Sequence, residues 1–68
     1  MEVLKMKKFI LINHRELTQK AINTPFTIKQ WISYHFGSWG FYRVEKISNK
    51  EYRIHNTIDN SIDYTILL

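Results

Sequence analysis

Sixty-eight residues allow one small domain and leave no room for a separate cofactor domain. With no cysteine, disulfide staples, thiolate metal sites and thiol catalysis are all excluded, while 44% apolar residues are too many for a disordered chain. The net charge of +4 belongs to residues 1–35, where six Lys and Arg face two Glu. Residues 36–68 carry four of each sign, so it is the first half that favours an acidic partner.

The domain is expected to span 1–68, with 1–5 as a frayed tail. From Lys7 to Ile12 the β-branched and aromatic content predicts a strand that is apolar on both sides and therefore central or covered. Its apolar run, Phe9 to Ile12, is shorter than the ~7 residues of a signal-peptide core and the ~20 of a membrane span. A soluble, cytoplasmic protein without membrane contact is expected.

Asn13 and Glu16 stand at capping-box spacing and predict a helix starting at His14. Leu17, Ala21 and Ile22 would form its narrow apolar stripe and Glu16 with Lys20 an i,i+4 ion pair. Pro25 ends it near Asn23, because it disfavours helical geometry at Thr24. Thr27 and Gln30 form a second capping box, and Phe26 and Trp31 stand at the spacing of a hydrophobic staple across it. The second helix then begins at Ile28, with Ile28, Trp31, Ile32, a partly buried His35 and Phe36 at i, i+3, i+4, i+7 and i+8 on its apolar face. Lys29, Gln30, Ser33 and Tyr34 remain on its outer face, and Gly37 is placed as its left-handed C′ residue.

After the turn containing Gly40, two alternating runs set a register by charge. A three-residue loop at Ser48 to Lys50 places Val44 opposite Ile54, Glu45 opposite Arg53 and Lys46 opposite Tyr52. A two-residue loop would instead set Lys46 against Arg53, like against like. The same parity around Asp59 and Asn60 places Ile54 opposite Tyr64 and His55 opposite Asp63. Tyr42, Val44, Tyr52, Ile54, Ile62, Tyr64 and Ile66 then face inward, and Arg43, Glu45, Arg53, His55, Asp63 and Thr65 outward. The expected fold is an α+β two-layer domain of order β-α-α-β-β-β, a helical pair packed on an antiparallel sheet of three to four strands.

The predicted helix, turn, helix and hairpin from His14 to Asn56 resemble the winged helix-turn-helix arrangement. That resemblance implies a nucleic-acid-binding regulator whose second helix offers Lys29, Gln30, Ser33 and Tyr34 to base edges, with Lys46 and Lys50 on phosphate. The stronger expectation comes from the crowd of rings between Tyr34 and Tyr42, more than a core this small encloses. Tyr34 and Trp39, with Lys29, Arg43, Arg53 and His55, form the expected binding surface, flanked by a basic patch of Lys5, Lys7 and Lys8. His14, His35 and His55 lack metal-ligand spacing, and no phosphate loop, nucleophile elbow or carboxylate pair is present. The expectation is a non-enzymatic regulator or inhibitor, phage- or mobile-element-like, that needs no cofactor or metal. It would occupy a surface of a larger protein or ribonucleoprotein, with nucleic acid or a homodimer as the other partners considered.

Overall fold

A computed structural model describes residues 5–37 and 40–68 of the chain. Among them five strands and one helix follow the order β1 (Lys7–Asn13), β2 (Thr18–Thr24), α1 (Ile28–Phe36), β3 (Tyr42–Ser48), β4 (Glu51–Asn56) and β5 (Ile62–Leu67). The strands form one sheet in the order β2-β1-β5-β4-β3, and every neighbouring pair is antiparallel.

The helix expected from His14 to Asn23 does not form, so the β-α-α-β-β-β order, the helical pair and the sheet of three to four strands are corrected to β-β-α-β-β-β with five strands. Its capping signal is nevertheless used. Asn13 Oδ1 accepts the amides of Arg15 and Glu16 at 3.0 and 3.1 Å, as at a helix start. Leu17 then takes the left-handed conformation, φ 55°, and the chain reverses. Thr18 to Thr24 pair residue for residue with β1. A lone ten-residue helix with a narrow stripe is marginal in water, whereas this hairpin covers the second side of an apolar strand whose other side is paired with β5.

Helix α1 starts where its cap predicts. The Gln30 amide donates to Thr27 Oγ1 at 3.2 Å, and the Thr27 amide donates to Gln30 Oε1 at 3.0 Å. Trp31, Ile32 and Phe36 are buried with Phe9, Tyr52, Ile54 and Ile66. Trp31 meets Phe9 edge-on at 4.8 Å between centroids, and Phe36 meets Tyr42 and Tyr64 at 5.2 and 4.9 Å. Phe26 stays 52% exposed while Trp31 is buried, so the expected staple gives way to Trp31 packing on the sheet. Gly37 ends the helix with φ −84°, not left-handed as expected. Glycine is needed there because a Cβ would lie 2.5 Å from the Ser33 carbonyl oxygen.

The register of the β3–β4 hairpin carries the expected pairs, Val44 with Ile54, Glu45 with Arg53 and Lys46 with Tyr52, but reaches them through a bulge at Ile47 and a shorter loop. In the β4–β5 hairpin Ile54 pairs with Tyr64, and a second bulge then sets His55 opposite Ile62 instead of Asp63. That shift also removes the half-buried Ile62 from the core. Val44, expected inside, is 41% exposed, because β3 is an edge strand. The side chains expected to face solvent are unequal too. Arg43 is exposed, whereas His55, Asp63 and Thr65 are buried.

Candidate functional site

The expected site residues fall on opposite layers of the fold. Lys29 and Tyr34 lie on the outer face of α1. Arg43, Arg53 and His55 alternate with the core residues Tyr42, Tyr52 and Ile54 and so occupy the sheet face turned away from the helix. Trp39 lies outside the described residues. Lys5, Lys7 and Lys8 stand at the start of β1, exposed. Lys7 pairs with Thr24, three residues before the cap of α1 at Thr27. The basic patch and the helix start therefore share one end of the sheet.

On the face away from the helix, the charges satisfy one another. His55 Nε2 bonds Glu45 Oε1 at 2.9 Å, and its Nδ1 lies 3.4 Å from the Asn60 carbonyl. Arg43 donates to Asn60 Oδ1 at 2.9 Å, Arg53 to Glu51 at 3.1 Å and Arg15 to the buried Asp63 at 2.8 Å. His14 Nε2 and Thr65 Oγ1 lie 2.7 Å apart. The hydrogen bond from His55 holds the Glu45 carboxyl below the usual carboxylate range. The Arg43–Asn60, Arg15–Asp63 and His14–Thr65 contacts join different hairpins, and His55 has both ring nitrogens facing oxygens. Among the described residues no three His, Asp or Glu side chains converge as metal ligands, and no helix is long and apolar enough to cross a membrane.

The outer face of α1 differs. Tyr34 is 82% exposed, and Phe26, Gln30 and Tyr34, spaced by four, enclose a notch of about 210 Å³. Lys29 and Ser33 extend this shelf on one side. None of these side chains faces an ion partner among the described residues. Phe26 escaped the sequence reading because its staple spacing assigned it to Trp31; its four-residue interval from Gln30 and Tyr34 was the available signal.

On the other flank of α1 lies a groove of about 480 Å³ lined by Leu11, Ile22, Trp31, Phe36, Tyr42 and Tyr64, with Lys20 and His35 also on it. It opens because one helix, about 10 Å across, lies on a sheet whose five strands span about 19 Å from edge to edge. Burial raises the pKa of the Tyr64 hydroxyl. Compared with known proteins, the chain matches no family model, no curated protein and no solved structure.

Proposed function

We propose that this chain is a cytoplasmic, non-catalytic regulator or inhibitor that works by covering a surface of a larger protein or ribonucleoprotein, in the manner of phage or mobile-element proteins. The observation that carries this reading is the outer face of α1, where Tyr34 stands exposed on a capped helix and Phe26 stands exposed just before its cap. Aromatic anchors beside a fitted notch are the usual source of affinity in protein interfaces. Lys29, with Lys5, Lys7 and Lys8 at the same end of the fold, supplies the charge that speeds approach to an acidic target. Arg43, Arg53 and His55 act in folding on this reading, since their charges and polar groups already have partners. The winged arrangement is not carried forward, because its helical pair is absent.

The test is affinity capture from a lysate with and without nuclease treatment, followed by titration of the captured partner. Replacing both Phe26 and Tyr34 by Ala is expected to weaken binding by ~30-fold or more, the ~2 kcal/mol of a hot spot. Replacing Lys5, Lys7 and Lys8 by Gln mainly slows association. A folded double variant that binds the captured partner as the wild type does would overturn the assignment to this face, and capture that disappears with nuclease would point to nucleic acid.

A further inference from the structure

We infer that the outer edge of β2, unpaired among the described residues, joins a second copy of this chain, forming a two-fold symmetric dimer with one continuous ten-stranded sheet. The inference does not rest on the target proposed above, although the two surfaces share Phe26.

The two edges of the sheet are treated differently. Strand β3 carries Arg43, Glu45 and Lys46 in sequence and a bulge at Ile47, the devices by which natural sheets discourage further pairing. Strand β2 has neither a proline nor a bulge, holds register over seven consecutive pairs and carries one charge, Lys20. A regular, nearly uncharged free edge of this length is a template for another strand.

The sequence of β2, Thr-Gln-Lys-Ala-Ile-Asn-Thr, is complementary to itself about Ala21. An antiparallel pairing centred there sets Ala21 against Ala21, Lys20 against Ile22, Gln19 against Asn23 and Thr18 against Thr24. Amide meets amide and hydroxyl meets hydroxyl, the Lys20 stem lies along an aliphatic neighbour, and no like charges stand directly opposite.

Two further features fit the same axis. Leu67, Ile10 and Ala21 are register partners across β5, β1 and β2, an apolar row that runs to the sheet edge and stops. The second copy continues it with its own Ala21, Ile10 and Leu67. Beyond the strand ends, Leu17 is 88% exposed and Phe26 52%. The pairing that sets Thr18 against Thr24 brings Leu17 of one copy to Pro25 and Phe26 of the other. Because the axis is perpendicular to the sheet, both copies of α1 lie on the same side.

The chain has no cysteine, so Ala21→Cys introduces a single exposed thiol exactly one strand spacing from its symmetry mate. Directly opposed residues of antiparallel strands have Cα atoms about 4.5 to 5.5 Å apart, within the reach of a disulfide. Mild oxidation of Ala21→Cys is expected to give a covalent dimer at nearly full yield, and Val44→Cys on the other edge is expected to give none. Sedimentation should show the wild type passing from monomer to dimer with concentration. Ala21→Lys and Ala21→Glu should each remain monomeric, and their equimolar mixture should recover the dimer. A wild type that stays monomeric at millimolar concentration, cross-linking as efficient through Val44→Cys, or a mixture no more associated than either variant alone would overturn the inference.

Discussion

Two hairpin turns in this molecule are built on the same plan and differ where the chain reverses. Between Asn13 and Thr18 the loop is His14–Leu17; between Asn56 and Ser61 it is Thr57–Asn60. In each, the leading asparagine side chain accepts loop amides, Arg15 and Glu16 in the first and Ile58 in the second. In each, the fourth loop residue has positive φ, 55° at Leu17 and 60° at Asn60. Asparagine tolerates that conformation, and here its side chain also holds Arg43 at 2.9 Å. Leucine does not, at about 1–2 kcal/mol, and Leu17 is 88% exposed, so burial does not offset the strain. The second turn is optimised for the monomer. The first keeps an apolar residue at local cost, which is the behaviour of a contact residue.

The largest effect expected from this contrast comes from giving the second turn the residue of the first. Asn60→Leu adds the left-handed penalty and removes the Arg43 bond, so unfolding in urea should show a loss of about 2 kcal/mol. A loss under about 0.5 kcal/mol would mean that the two turns are not equivalent in strain. The reverse exchange has the opposite sign. Leu17→Asn should stabilise the monomer by about 1 kcal/mol, and it should also weaken the dimer by removing the side chain that reaches Phe26. A gain in monomer stability with dimerisation unchanged would separate the strain from any role of Leu17 in self-association.

The same turns explain how much of the fold was legible. An asparagine followed three residues later by glutamate satisfies first-turn amides whether the chain continues as a helix or reverses. The deciding conformation falls on Leu17, a residue that does not announce it. Strand β2 then hides behind Lys20, Ala21 and Asn23, all poor strand formers. Helix α1 was legible because the cap of Thr27 and Gln30, the spacing of Trp31, Ile32 and Phe36, and the glycine after it agree with one another. The β3–β4 pairs were legible through charge, since only one parity keeps Lys46 from Arg53. The Asp63 bulge was not, because the alternation of Ile62 and Tyr64 reads the same with or without it, and so His55 was assigned to Asp63 when it bonds Glu45. At the site, Lys29 and Tyr34 were placed correctly on the outer face by helical period, while Arg43, Arg53 and His55 were placed on the right side of the sheet without the partners that occupy them.

The smallest expected effect is a dependence on acidity confined to the second turn. The Asp59 carboxylate accepts the Ser61 hydroxyl at 2.6 Å and its amide at 3.0 Å, and these bonds, the hydroxyl first, hold its pKa below the ordinary value. Among the described residues Glu16 and Thr18, at the matching positions of the first turn, make no such bond. A carboxyl whose pKa is depressed on folding contributes stability that is fully present above its unfolded pKa, about 3.9 for aspartate, and that is lost as pH falls through the folded value. A double-mutant cycle of Asp59→Ala and Ser61→Ala should therefore show a favourable coupling at pH 7 that shrinks below pH ~4. The coupling is small because the carboxylate is exposed and water competes for it. If it persisted unchanged into strong acid, the bond would not depend on the charge of the Asp59 carboxylate.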